Sequence, residues 1–265
     1  MEIGVLGACA AAVLVLVVSM WSLSVRLRDA SIVDIVWGFG FVVIAWVARG
    51  VAHGVPARQW LLVACTSIWG LRLSAYLLWR NHGNGEDFRY RAMRKKHGDK
   101  FPLVSLRTVF LTQGLVMLVV SLPVQFGQMA DRPVRLGPVA WAGVALWAVG
   151  LAFETVGDAQ LARFRAQPDS AGRVMDRGLW SWTRHPTYFG DVCVWWGLFL
   201  IAAETRLGLL SVIGPVAMTV LLLRVSGVPM LEKTIGRRRL GYADYVERTS
   251  AFFPRPPRPP RPRRH

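Results

Sequence analysis

Residues 154–190 read ETVGDAQLARFRAQPDSAGRVMDRGLWSWTRHPTYFG. An apolar run enters this stretch and meets two acids, Glu154 and Asp158, four residues apart and so on one helix face. A basic loop follows, with Arg163, Arg165, Arg173 and Arg177, and GLWSWTRHPTYFG then opens directly into a second apolar run. Charge between two helices of membrane-grade hydrophobicity is costly unless something pairs with it. A polyanionic ligand such as a dinucleotide is one such partner. A purely structural network, in which Arg163 or Arg165 satisfies the acids, is the other.

Outward from this stretch, apolar runs broken by charge recur along all 265 residues. Hydrophobic residues make up 53% of the chain and charged ones 18%, against roughly 25% charged in soluble domains. Runs of about 18 apolar residues or more recur, which sets the class as a polytopic membrane protein. The formal net charge of +16 sits in the loops and at the C-terminal end. That is the placement of charge facing the cytoplasm and anionic headgroups, so membrane lipids and not nucleic acid are the expected surroundings. Cys9, Cys65 and Cys193 lie inside apolar runs without disulfide or metal spacing, and the five histidines form no ligand cluster, so no metal is expected.

Seven helices are expected, at roughly 3–25, 31–48, 59–79, 108–126, 139–158, 187–203 and 207–226. The first run has no basic n-region and is too long for a signal-peptide core, so it is expected to be a retained first helix. Ser31 is placed to cap the second helix, and Asp34 lies in its first turns. Glu204, Thr205 and Arg206 make a tight turn between the last two. The polar segments 80–107, 158–186 and 226–254 separate or follow the helices. The loops after helices one, three, five and seven, with the tail, hold 25 of the 32 Lys and Arg; the other loops hold five, and Arg72 and Arg224 fall within spans. The positive-inside rule then puts the N-terminus outside and the C-terminus in the cytoplasm, and an even helix count would destroy the asymmetry. The expected fold is an all-α, seven-transmembrane-helix bundle: one membrane domain over 1–254, monomeric, with a disordered Pro/Arg tail at 255–265. Its expected location is an integral membrane one, the inner membrane if the source is bacterial.

All three polar segments fall on the cytoplasmic side. Their arginines offer bidentate grips on phosphate. Trp180, Trp182, Tyr188, Tyr242 and Tyr245 offer faces on which a ring can stack. The competing reading of each is positive-inside charge and an interfacial aromatic belt. Arg184, His185 and Pro186 precede helix six; a proline suits a first helical turn, and a helix N-terminus there favours an anionic group. Asp34, an acid within a span, is either catalytic or a structural partner of Arg72. Glu86 and Asp87 are secondary candidates, weighed against a surface ion-pair network with Arg89 and Arg91.

GLWSWTRHPTYFGDVCVWWG, the upstream acids, GYADYVERTSAFFP, SIVDIVWG and GNGEDFRYRAMR together resemble the steroid 5-alpha-reductase-like family, in particular its bacterial and plant branch. The RHP-containing half is also similar to the isoprenylcysteine carboxyl methyltransferases, where the signature serves S-adenosylmethionine. The first resemblance implies a seven-helix bundle, with NADPH entering from the cytoplasm and an enone substrate deeper in the bilayer. By motif, the family's cofactor-binding Asn falls on Glu154, its Asp on Asp158, its arginine on Arg165 and its Tyr-Arg pair on Gly172 and Arg173. Its later Asn falls on Thr187 and its DYP-segment tyrosine on Tyr245. Glu154, Gly172 and Thr187 depart from the pattern. Arg184, His185 and Tyr188 join the expected cofactor set from their own chemistry. The family's substrate acid and tyrosine have counterparts by position in Asp34 on helix two and Tyr76 on helix three. A protonated Asp34 would donate to the enone oxygen as hydride reaches the β carbon.

Three functions therefore compete. The first is NADPH-dependent reduction of a C=C bond conjugated to a carbonyl, in a sterol-like or other lipid. Methyl transfer from S-adenosylmethionine, favoured by RHPTY with a downstream Glu232, is the second. A lipid-binding protein without catalysis is the third. Ligand charge separates the first two: phosphates need arginines, whereas S-adenosylmethionine is a cation.

Overall fold

Helices that are apolar on every face need an apolar solvent, and this chain is built from them. A computed structural model describes residues 2–225, 227–228 and 241–258. These residues are predominantly helical, and the one β-type pairing among them is an isolated parallel bridge between Thr183 and Ser250. Six helical runs are long and apolar enough to cross a membrane: Ile3–Leu27, Ile32–Val51, Pro56–Asn81, Phe88–Val120, Pro138–Arg165 and Arg206–Val225. At most 44% of the most apolar window of any of them is buried, and Leu14, Trp46, Trp79, Leu115 and Trp141 point outward. Lipid is the surrounding that such surfaces match, which marks an integral membrane protein. The helix Pro186–Ala202, expected as the sixth span, has 17 residues.

The chain divides into two compact units. The first comprises Met1–Ala142 and Leu198–Gly214. Here α1 (Glu2–Leu27), α2 (Ile32–Val51) and α3 (Pro56–Asn81) lead the fold. Where α2 crosses α3, a Cβ on Gly38 would strike the Gly70 carbonyl oxygen, and one on Gly70 the Gly38 carbonyl. Only glycine at both positions allows this approach. Beside the crossing, Phe41 and Trp69 are fully buried, with ring centroids 5.6 Å apart.

The two ends of this unit differ. At one, the α1–α2 loop is tied to the segment after α3. Ala30 N donates to Glu86 Oε1 (2.9 Å), and Asp87 N donates to Ser31 Oγ (2.6 Å). The Ser31 hydroxyl does not cap α2 as expected, because it serves Asp87 instead. Part of the polar segment 80–107 is itself helical: α4 (Phe88–His97) is capped by the Asp87 carboxylate, which accepts from Arg89 N. After Gly98 come α5 (Phe101–Ser105), a π turn at Leu106–Leu111, α6 (Thr112–Val120) and α7 (Leu122–Gly127).

At the other end the α2–α3 loop, the stretch 128–137 and the turn at 203–206 meet. Buried Gln59 donates to Ala52 O and Gln128 O, both at 3.0 Å. Buried Arg58 donates to Pro133 O (3.0 Å) and lies 3.7 Å from Glu204. The Glu204 carboxylate accepts from Gly137 N and Ala140 N, satisfying the start of α8 (Pro138–Arg165). Thr205 accepts from Gly208 N and caps α11 (Arg206–Leu210), so the expected tight turn is built from two caps.

The second unit comprises Gly143–Gly197 and Pro215–His265. It holds most of α8, the short α9 (Leu179–Trp182), most of α10 (Pro186–Ala202), the C-terminal part of α12 (Ile213–Val220) and the helix Tyr242–Arg248. Helices α8 and α10 run antiparallel along a glycine seam. A Cβ on Gly150 would lie 2.5 Å from Gly190 O, and one on Gly197 would lie 2.7 Å from Gly143 O. α8 continues past its expected end at 158 to Arg165, so Leu161 and Phe164 are helical. The C-terminal segment is strapped across the RHP turn. Thr183 Oγ1 donates to Phe252 O (2.7 Å), Arg184 N to Ser250 O (2.9 Å), and Arg255 N to Trp182 O (3.0 Å). Arg258 N donates to Arg248 O, so the segment expected as a free tail is tied down at its start. Lys233, Arg237–Arg239, Glu232 and residues 259–265 lie outside the described residues.

Candidate functional site

The second unit's motif is anchored to α8 before it meets any ligand. Gln160 Oε1 accepts from Leu179 N, and Trp180 Nε1 donates to Gly157 O, each at 3.0 Å. The Tyr245 hydroxyl then donates to Trp180 O at 2.6 Å. These bonds hold α9 between α8 and the helix Tyr242–Arg248. Beside them opens a cavity of about 230 Å³. Arg165, Arg173, Arg184 and His185 line it, with the rings of Trp180, Tyr242 and Tyr245 and the apolar side chains of Leu161, Phe164, Val174 and Met175.

Five of the nine expected cofactor residues thus share one cavity: Arg165, Arg173, Arg184, His185 and Tyr245. Glu154, Asp158, Thr187 and Tyr188 are not among its walls. Glu154 is 3% exposed and lies against Gly190 in the glycine seam. Thr187 turns its methyl toward Gly157 of α8. The Tyr188 ring stacks on His185, with centroids 5.5 Å apart and planes 12° from parallel. His185, 4% exposed, is held by this stack and by its backbone N–H to Thr183 Oγ1. Arg173 Nη1 also lies 2.6 Å from the exposed Asp169. Of the four apolar wall residues, Leu161 continues the face of Glu154 and Asp158 once α8 runs past 158, whereas Phe164, Val174 and Met175 follow from no pattern in the sequence. Among the described residues no group of His, Cys, Asp and Glu could hold a metal.

The first unit carries a separate cluster. Asp34 takes Arg89 and Tyr90; Arg72 or a backbone donor is the structural partner expected in place of a catalytic role. Arg89 Nη2 donates to Asp34 Oδ2 (2.7 Å) and the Tyr90 hydroxyl to Asp34 Oδ1 (2.8 Å). Arg89 also bridges to Asp87 at 2.9 Å. Glu86 pairs with Arg94 at 2.7 Å, so the expected ion-pair network exists with Arg94 taking the place given to Arg91. Burial alone would push the Glu86 carboxyl up; hydrogen bonds from Arg94 and Ala30 N, with the charges of Arg94 and Arg91, outweigh it and hold the carboxyl below its ordinary value. Asp87 is likewise held low, burial being overcome by hydrogen bonds from the Arg89 side chain and backbone and by the charges of Arg89 and Arg80. Tyr76 is half-buried on α3, with its ring 5.9 Å from Trp79 and 5.8 Å beneath the Arg80 guanidinium.

Fold and cavity together define an integral membrane protein with an arginine- and aromatic-walled cavity on a strapped RHP motif. The chain belongs to the DUF1295 family, described as "Protein of unknown function", whose model matches residues 20–249. An uncharacterised protein of Schizosaccharomyces pombe is similar to it, with 22% identity over 261 residues, covering 89% of this chain and 76% of that protein. No solved structure matches it.

Proposed function

We propose that this chain is an NADPH-dependent membrane reductase of the steroid 5-alpha-reductase type, acting on a C=C bond conjugated to a carbonyl in a sterol-like or other lipid. The observation that carries the reading is the convergence of Arg165, Arg173, Arg184 and His185 with Trp180, Tyr242 and Tyr245 on one cavity. Guanidinium groups suit phosphate, and flanking rings suit a nucleotide base or nicotinamide. S-adenosylmethionine, a cation, needs no such arginines. At about 230 Å³ the cavity is smaller than the roughly 300 Å³ at which whole-ligand pockets begin, so it fits one end of a dinucleotide. NADPH, when bound, supplies hydride. The chain's own part is to hold the phosphates through its arginines, to stack the ring on Trp180 or Tyr242, and to polarise the substrate carbonyl. We assign that last step to Asp34 and Tyr76. Both Asp34 oxygens accept hydrogen bonds, so Asp34 must release Tyr90 or Arg89 and take up a proton from solvent before it can donate to a substrate oxygen.

The same reading takes seven spans, with the N-terminus outside and the C-terminus cytoplasmic. Three observations support it. The lysines and arginines divide 25 to five between the two sets of loops. The first unit's two ends group the α1–α2 loop with the post-α3 segment, and the α2–α3 loop with 128–137 and 203–206, as alternate crossing requires. The 17 residues of α10 pair antiparallel with α8 and span about 25 Å, within reach of a tilted or locally thinned bilayer.

The test is the thermal stability of the purified full chain in detergent. NADPH at 100 times its Kd should add about 2.7 kcal/mol by linkage. Arg165→Ala and Arg173→Ala should each weaken that effect. Stabilisation by S-adenosylmethionine and not by NADPH sinks the reductase reading in favour of methyl transfer. Saturable binding of neither leaves a lipid-binding protein.

A further inference from the structure

A second cavity shares Arg184 with the aromatic one. It measures about 290 Å³ and is walled by Arg184, Arg248, Arg255 and Arg258, with Ser250 and Glu247. We propose that this cavity binds a phosphate monoester, and that the C-terminal strap exists to complete it. Among the described residues, four arginines and a single carboxylate residue, Glu247, line this concavity. Such an excess of one sign in a recess concentrates anions. Guanidinium forks match phosphate oxygens bidentately, and a dianionic monoester uses several at once. No aromatic ring is among its described wall residues, which sets this recess apart from the aromatic cavity that shares Arg184.

The backbone beneath is already ordered. Arg184 N donates to Ser250 O, Arg255 N to Trp182 O, and Arg258 N to Arg248 O, so the main chain from which the arginines project is fixed without any ligand. Arg248 is steadied further by Asp176 at 3.5 Å. The side chains of Arg255 and Arg258 are exposed, while their backbones do the fastening. Structure alone would need the hydrogen bonds of this strap and not its charge. A backbone already in place lowers the ordering cost of binding.

The chemistry has two sources, the 2′-phosphate of NADPH or the headgroup of a phosphomonoester lipid. The inference does not depend on the reductase reading, since either source satisfies it. The experiment uses the full chain and the variant Arg255→Ala/Arg258→Ala. Inorganic phosphate should stabilise the natural chain saturably, and the double variant should bind it at least tenfold more weakly. Glu247→Gln, which removes only the opposing charge, should tighten it several-fold and shows that the site responds in both directions. In the nucleotide arm, tighter binding of NADPH than NADH, lost in the double variant with NADH unchanged, assigns the cofactor. In the lipid arm, preference for nanodiscs containing phosphatidate over phosphatidylcholine alone, lost in the same variant, assigns the headgroup. No saturable phosphate binding, or equal binding by the natural chain and the double variant, overturns the proposal.

Discussion

Asp34 Oδ2 lies 2.7 Å from Arg89, and Oδ1 lies 2.8 Å from the Tyr90 hydroxyl, so both oxygens of a partly buried acid act as acceptors. Asp34→Ala strands the Tyr90 hydroxyl and leaves Arg89 with Asp87 alone, and should cost about 1–3 kcal/mol, read as a lower unfolding midpoint in detergent. Asp34→Asn keeps one acceptor oxygen and should cost less; equal losses would show that charge and not hydrogen bonding dominates. Glu86 and Asp87 carry the pH dependence of this corner. Both carboxyls are held below their ordinary values in the fold, so their stabilisation is full above the ordinary carboxylate range and is lost as pH falls through the depressed values. Glu86→Gln should therefore flatten the acid limb of a stability–pH curve and leave the curve above neutrality parallel to that of the natural chain. The acid on α2 was legible as an anomaly, because a charge within an apolar run stands out at any register. Its partners were not, since Arg89 and Tyr90 come from α4, more than fifty residues away, and no local pattern links them.

At the scale of elements, the apolar runs announced nearly every long helix, because twenty apolar residues leave no other way to satisfy a backbone in lipid. The helix α4 did not announce itself: FRYRAMRKKH has no apolar face to give a period, and only the Asp87 cap and the basic last turn mark it. The two π turns, at Leu106–Leu111 and Leu221–Val225, leave no compositional trace either. The glycine seam between α8 and α10 was half legible. Gly190 stood out within its motif, but its counterpart Gly150 looked like any glycine in a membrane run. Gly150→Leu places a side chain where a single Cβ already lies 2.5 Å from Gly190 O. Overpacking should cost about 1–3 kcal/mol or more, visible as a fall in the melting midpoint of the purified protein. A midpoint unchanged by this substitution would contradict the packing described.

For the whole molecule, sidedness is the property to measure, and the chain carries its own quiet background. Cys9, Cys65 and Cys193 are all buried, so thiol reagents should report only on introduced positions. Arg135→Cys should react with a membrane-impermeant maleimide on intact cells, whereas Arg177→Cys should react only after permeabilisation. The opposite pattern inverts the proposed topology, and labelling of both from outside breaks the alternation of spans.

The strap across the RHP turn ties Thr183 to Phe252, 69 residues later in the chain. A ribosome makes and inserts helices from the N-terminus onward, so the turn emerges long before the segment that fastens it. Both arginines of the strap, Arg255 and Arg258, are made after the turn that it fastens. The recess that Arg184 shares with Arg248, Arg255 and Arg258 is thus completed only once the strap has been made. A nascent chain arrested before residue 250 should be membrane-inserted yet blind to phosphate, and phosphate binding should appear only once residues 250–258 have been made.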